Sequence, residues 1–393
     1  MIWSLAGWCR SPAATRFDGV VTATGHVHLA GVMPSVLAAL GVAGTRRALD
    51  LPDVSRACVL LVDGLGRDLL REHGDVAPTL TGLVHDTLDV GYPATTAAGL
   101  AAIGTGLPAG EHGFVGYSFD VPGVGLINAL RWRAHPSGAE LGVAATPEHL
   151  QPLPTTFDLA ARAGLTASVV SDARFADSSL TRAVLRGADY RGVHALGDLA
   201  AQVGRVLRGP SGVCYAYHSE LDLLGHLYGP GSPEWRMQLR HVDQLVATLA
   251  HDLPADSLLA VVADHGMVTV DDTALDVDSV PRLWEGVRAV GGEVRARHVY
   301  TVAGAGAEVL ATWRETLADR ARVLSREEAV AAGWFGPTVS DRVRARIGDV
   351  VAAARGRSGM LRREAEPGES ALLGQHGSHT AAERRVPLLL AYR

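Results

Sequence analysis

The feature that most constrains how this chain can fold is a short apolar run, Ala57–Val62 (ACVLLV), which stops at Asp63-Gly64. Six consecutive apolar residues without alternation suit a strand covered on both faces, as in a central parallel strand. The run recurs. Ser168–Ser171, Gly212–Tyr217 and Leu258–Ala263 read the same way, and the last is followed by Asp264. Helical segments separate them. Thr156–Ala163 is one, and Pro233–His251 is another, with Trp235, Met237, Leu239, Val242, Leu245, Val246 and Leu249 near helical spacing. Strands alternating with helices predict an α/β fold with a doubly wound, mostly parallel sheet.

Beyond about Val270 the rhythm changes. His298–Val302 and Arg322–Leu324 read as strands, Ala307–Ala318 and Arg326–Ala332 as helices, and Arg355–Glu369 as a loop. The expected organisation is a peripheral segment over residues 1–50, with a short helix at Val32–Leu40. A core follows over 51–272 and 372–393, and a smaller α/β subdomain is inserted over 273–371. The closing strand, Val386–Tyr392, is expected to rejoin the main sheet.

Composition excludes several chemistries. All 36 Lys+Arg residues are arginine, so neither a Walker-A lysine nor a lysine Schiff base is available. Net charge is -6 with no basic tract, which disfavours nucleic-acid binding. Cys9, Cys58 and Cys214 are far apart and form no C-x-x-C pair, against a disulfide framework or a thiolate zinc site. The start of the chain lacks a basic n-region and a cleavage site, and no apolar run is long enough to span a bilayer. The expectation is a cytoplasmic protein.

Four separated segments place metal-capable residues beside a strand end or a glycine. They are Asp63 in LLVDGLG, Asp222 with His226 in ELDLLGHLYGP, Asp264-His265 in VVADHGM, and His376 in GQHG. Ligands of open α/β sheets cluster beyond the carboxyl ends of the strands, and Asp with neutral His suits zinc where thiolates are lacking. Taken alone, an Asp after a strand is usually a turn or cap residue, and a His-Gly a loop. A fifth segment, Tyr92-Pro93-Ala94-Thr95-Thr96 before AAGLAAIGTGLPAGEHG, supplies hydroxyls ahead of an expected helix at Ala97–Ile103. A threonine there is either an N-cap or a nucleophile at a helix N-terminus, where phosphate is favoured.

The ordered set strand–Asp63, P-x-T-T with T-G-L-P-x-x-x-H-G, D-x-x-G-H, D-H-G-M and G-x-H-G resembles the alkaline phosphatase superfamily. The resemblance is greatest to its type I phosphodiesterase/nucleotide pyrophosphatase branch, and it spans residues 58 to 377. It implies a two-metal phosphodiesterase or nucleotide pyrophosphatase working through a phospho-threonine. In that family the nucleophile lies ten residues before the glycine of the T-G pair, here Gly106. That implies Thr96 as nucleophile and metal-side hydroxyl, with Thr95 as the fallback. The resemblance implies one metal on Asp63, Asp264 and His265, and a second on Asp222, His226 and His376. Zinc fits this set best and manganese second. His218, His241 and His379 fall outside the frame, and His112 is read as structural support. Members of the eukaryotic type carry an asparagine three residues after the nucleophile. Here Gly99 stands there, and the one asparagine of the chain, Asn128, is read as a loop cap.

The implied partner is a small phosphorylated substrate, a nucleotide among the candidates. Phosphomonoester and phosphonate hydrolysis remain open on the same site, as does a non-catalytic metal-binding scaffold. The serine of a phosphoglycerate mutase and the C-x-P-x-R motif of a sulfatase are both missing.

Overall fold

The structure is a computed structural model and describes residues 25–142 and 145–393. Cys9 and the reading of the chain's start lie outside them. Seven strands of the large sheet are β1 (Val27–His28), β2 (Arg56–Val62), β3 (Val84–Asp89), β4 (Thr166–Asp172), β5 (Asp189–Val193), β6 (Gly212–His218) and β7 (Ser257–Val262). Four more form a separate sheet: β8 (Val287–Glu293), β9 (Ala296–Thr301), β10 (Ala321–Ser325) and β11 (Val350–Ala354). The last, β12 (Arg385–Tyr392), returns to the first sheet. The helices that matter below are α1 (Val32–Ala39), α2 (Thr96–Thr105), α3 (Glu220–Tyr228) and α4 (Pro233–His251).

The large sheet has the order β1-β3-β12-β7-β2-β6-β4-β5. Only β12 runs antiparallel to its neighbours, β7 and β3. Its apolar strands are covered on both faces: Ala57–Val62 and Leu258–Val262 are fully buried. This is the packing that an uninterrupted apolar run demands. Because Arg385 pairs with Asp89, β12 begins at the edge where β3 ends. That edge therefore gathers the carboxyl ends of the parallel strands and the loop that enters β12.

Residues expected to be peripheral are not so throughout. Strand β1 forms one edge of the large sheet. Leu29, Val32, Met33, Val36 and Leu37 are completely buried in the main core. Their apolar spacing had only tertiary partners to reveal it. Helix α4 has the expected bounds, with Pro233 in its first turn and the Ser232 hydroxyl accepting from Trp235 N at 3.3 Å. Met237, read as one of its apolar positions, is instead 49% exposed.

The second sheet is fully antiparallel, in the order β8-β9-β11-β10. Strand β11 shows why it sits where it does. Val350, Ala352 and Ala354 pack with Trp313 and Leu317 in a cluster of their own. Val351 and Ala353, on the other face, join the main core. This period-two alternation ties the sheet into the main core. The stretch read as a loop, Arg355–Glu369, holds a short strand, Met360–Leu361, paired with Leu275–Asp276.

Candidate active site

Five chain segments meet at the shared edge. Asp63 follows β2, and its N–H donates to His218 O at the end of β6, 2.9 Å away. Asp264 and His265 follow β7, Asp222 and His226 lie on the first two turns of α3, and His376 lies in the loop before β12. Thr96 is the first residue of α2, which follows β3. Helix α2 is buried along its whole length, so its start is held rigidly.

That helix begins one residue earlier than its apolar pattern suggests. Thr95 occupies the N-cap position but makes no capping bond. Its hydroxyl donates instead to Glu293 Oε2, 2.7 Å away at the end of β8. Thr96 Oγ1 lies 3.2 Å from His265 Nε2. The amides of the helix's first turn have no intrahelical carbonyl to meet.

Gly99 explains its own departure from the family pattern. A Cβ there would lie 2.4 Å from Asp264 Cβ and 3.0 Å from its Cα. The helix passes too close to Asp264 for any side chain, asparagine included. Asn128 is a loop cap: its Oδ1 accepts from Leu130 N at 3.0 Å and Arg131 N at 2.9 Å.

The three histidines share one arrangement. His226 Nδ1 faces Gly374 O at 2.7 Å, His265 Nδ1 faces Gly266 O at 3.1 Å, and His376 Nδ1 faces Ala94 O at 3.0 Å. A carbonyl only accepts, so each Nδ1 carries the proton. In the neutral ring, Nε2 then presents its lone pair inward, the tautomer of a metal-ligating imidazole. His226 Nε2 lies 3.2 Å from Asp222 Oδ2, and His265 Nε2 lies 3.2 Å from Asp63 Oδ1. The His265 and His376 rings stack, with centroids 3.6 Å apart.

The carboxylates complete the set. Asp63 Oδ1, Asp222 Oδ1 and Asp264 Oδ2 are buried without a hydrogen-bond partner. Their ion pairs are with histidines, not arginines. Burial and repulsion from neighbouring carboxylates lift Asp63 and Asp264 above the ordinary carboxylate range. Burial works against a charged His265, yet Asp264 and Asp63 push it up to about 10. Burial also opposes a charged Asp222, but His226 prevails and holds it below its ordinary value. His376 is driven well down, first by burial and then by His265.

Orphaned acid oxygens facing imidazole lone pairs are the donor set of a divalent cation. Potential ligand atoms fall within 4.8 Å of one another in two groups, Asp63/Asp264/His265 and Asp222/His265/His376. The second differs from the expected trio in one member. His226 stands beside it rather than in it.

The other expectations sort cleanly. His112 is buried, and its Nδ1 accepts from Phe114 N at 3.1 Å. His218 pairs with Glu220 and Gln238, and His379 packs between Trp334 and Tyr92 beside Arg384. His241 is exposed. Two site groups had no motif to announce them. The Tyr217 hydroxyl donates to Asp63 Oδ2. Glu293 is pushed up to about 7 by burial, and its Oε1 has no partner. Tyr217 ends the same apolar strand as His218, a faint signal, whereas nothing local marks Glu293.

The profile of the family "Type I phosphodiesterase / nucleotide pyrophosphatase" matches residues 57–379. Human ectonucleotide pyrophosphatase/phosphodiesterase family member 7 is 42% identical over 66 residues, 16% of this chain and 14% of its own. The catalytic subunit of human GPI ethanolamine phosphate transferase 3 is 40% identical over 60 residues, 15% of this chain and 6% of its own. The aligned part thus spans well under two thirds of these curated relatives. Two solved structures are similar over most of their length. Phosphonoacetate hydrolase from Sinorhizobium meliloti 1021, with phosphonoacetate bound, has a TM-score of 0.66 at 19% identity, covering 88% of this chain and 92% of that one. Murine ectonucleotide pyrophosphatase/phosphodiesterase 5 has a TM-score of 0.63 at 19% identity, covering 84% and 87%, and an inactive form of it was solved with AMP. Among the described residues, no helix is long and apolar enough to cross a membrane.

Proposed function

The chain belongs to the type I phosphodiesterase/nucleotide pyrophosphatase family, within the alkaline phosphatase superfamily, and on that premise we propose that it is a metal-dependent phosphodiesterase with Thr96 as its nucleophile. The observation that carries this reading is the cluster of three Nδ1-anchored histidines and three aspartates with orphaned oxygens, which the Thr96 hydroxyl joins through His265 Nε2. Asp63, Asp264 and His265 would hold one divalent cation, and Asp222, His226 and His376 a second, with zinc the best fit and manganese the next. Such ions, when bound, make a neighbouring hydroxyl or water more acidic and neutralise charge on phosphoryl oxygens.

The chain's own residues do the rest. The backbone carbonyls of Gly266, Gly374 and Ala94 fix the histidine tautomers, so no side-chain rearrangement is needed to present Nε2. Tyr217 orients Asp63. Burial of α2 sets Thr96 Oγ in place, with the amides of its first turn available to phosphoryl oxygens. Thr96 Oγ attacks phosphorus as the bond to the ester oxygen breaks, and the hydroxyl proton ends on that oxygen, which departs as an alcohol. Water then attacks the phospho-threonine and restores the hydroxyl. Cys58 and Cys214 are free thiols buried opposite each other on β2 and β6, in keeping with the cytoplasmic location in this reading.

The test compares bis-p-nitrophenyl phosphate with p-nitrophenyl phosphate on zinc-loaded protein, with Thr96→Ala as the blank. Diester turnover that disappears in the variant supports the reading. Full turnover in Thr96→Ala defeats the nucleophile assignment, and a monoester preference moves the substrate class.

A further inference from the structure

A cavity of about 330 Å³ opens directly from the site, with Thr96, Asp63, Asp222 and His226 at its floor. Its walls are mostly apolar. Leu100, Leu180, Val184 and Leu185 line it together with aromatic rings. Its mouth is apolar as well: Leu130 and Leu223 line it while 40% and 51% exposed. Leu223 follows Asp222 on α3. One helix therefore presents a carboxylate to the floor and an exposed apolar side chain to the mouth.

The charge around this cavity selects what can enter. Arg174 is the one arginine lining it among the described residues. Its guanidinium is already engaged by Asp172, with Nε at 3.0 Å and Nη2 at 2.7 Å from one carboxylate oxygen, and it lies over the Phe175 ring. Two of its donors are thus engaged, and the side chain is largely exposed to solvent, which makes it a weak anchor for a substrate carboxylate or a second phosphate. The same guanidinium, 5.6 Å from the Phe175 ring centroid, opposes a cationic guest on that ring. A flat base has no parallel slot either. Phe175 and Tyr217 stand 6.4 Å apart at 64°. Tyr215 lines the wall with a buried hydroxyl that has no partner in the protein, and Ser171, Ser178, Thr181 and Ser219 add neutral hydroxyls to the lining.

We propose that this cavity is the subsite for an uncharged apolar organic group, an alkyl or aryl ester arm on phosphorus, and that the preferred substrate is an alkyl or aryl phosphodiester rather than a nucleotide or a carboxylate-bearing phosphonate. The proposal rests on the phosphodiesterase reading above and adds the substrate class. A pocket of this size sits at the small end of those that enclose organic ligands, which fits one arm of moderate length.

The test uses zinc-loaded protein and p-nitrophenyl diesters that share a leaving group and differ in the second arm: methyl, butyl, octyl, thymidine-5′ and choline. We expect kcat/KM to rise about threefold per methylene from methyl to butyl, at least tenfold overall, with the thymidine and choline esters below butyl. Leu130→Gln and Leu223→Gln, both at exposed positions that tolerate the change, should each lower the octyl-to-methyl ratio. A flat series, or the thymidine or choline ester leading, overturns the proposal. Calorimetric titration of Thr96→Ala with methyl, butyl and octyl phosphate keeps the two readings apart. If no ester is turned over but affinity climbs with chain length, the phosphodiesterase reading fails and the apolar subsite stands. If affinity is flat, the subsite fails whatever the turnover.

Discussion

Two buried clusters of charge lie in this molecule, one at the edge of the large sheet and one beneath the second sheet, and they are built on opposite plans. In the second, both oxygens of Glu366 are used. Oε2 accepts from Arg297 at 2.7 Å, and Oε1 accepts from Arg362 at 3.3 Å beside His135 Nε2 at 2.8 Å. Arg297 also donates to Met360 O, and Arg362 to Val290 O and Asp278. Burial opposes a charged Glu366, but Arg297 and His135 hold it down at about 2. In the first cluster, Asp63, Asp222 and Asp264 each keep a buried oxygen with no partner. A charge network that is satisfied within the chain serves structure. One left short of positive charge is costly unless something from outside completes it.

The comparison can be broken in several places. The largest effect is expected at the proposed nucleophile. Thr96→Ala should lose on the order of 10³-fold or more in kcat while keeping its metal content, checked by steady-state kinetics and elemental analysis. Next, Asp264→Asn should abolish metal-dependent turnover yet leave the chelated protein as stable as wild type or more so, because it removes a carboxylate that repels its neighbours. A large loss of stability on urea unfolding of the metal-free variant would mean that Asp264 is a structural group. Glu366→Gln should do the reverse, costing about 3 kcal/mol by urea unfolding because it leaves Arg297 buried and unmatched.

The pH dependence should divide along the same line. The folded-state pKa of Glu366 is depressed. Its contribution is present above the ordinary glutamate value of about 4.3 and is lost as pH falls toward about 2. Asp63 and Asp264 are raised in the metal-free protein, so what they contribute is present in acid and lost as pH climbs through their elevated values. Chelated wild type should therefore lose more stability between acid and neutral pH than chelated Asp264→Asn. Equal slopes would contradict the assignment of repulsion to this cluster. The smallest effect is expected from Glu293→Gln, which keeps a partner for the Thr95 hydroxyl. A severalfold fall in kcat would fit a positioning role for the β8 carboxylate, and a loss as large as that of Thr96→Ala would place it in the chemistry itself.

Much of this was legible in advance, for identifiable reasons. Strand β2 announced itself because six apolar residues in a row have few other uses, and α4 because its apolar residues from Trp235 to Leu249 recur near helical spacing. Asp63, Asp222, His226, Asp264, His265 and His376 could be picked out because each sits in a short local frame, and the structure draws all six to one edge. The departures come where partners are distant in sequence. The burial of Val32–Leu37 depends on the large core, and Thr95 finds Glu293 across 198 positions. His265 stands within reach of both groups of donors, which no frame of neighbouring residues encodes.

What the sequence determined by itself is therefore the central apolar strands, their mostly parallel winding, and the types and order of the site residues. Hydrophobic period and short motifs are local properties, and they survive in one dimension. Only the tertiary structure decided that Gly99 must lack a side chain against Asp264, that three backbone carbonyls set three histidine tautomers, and that a mostly apolar cavity adjoins Thr96. Those are matters of distance between segments far apart along the chain, and close packing alone sets such distances.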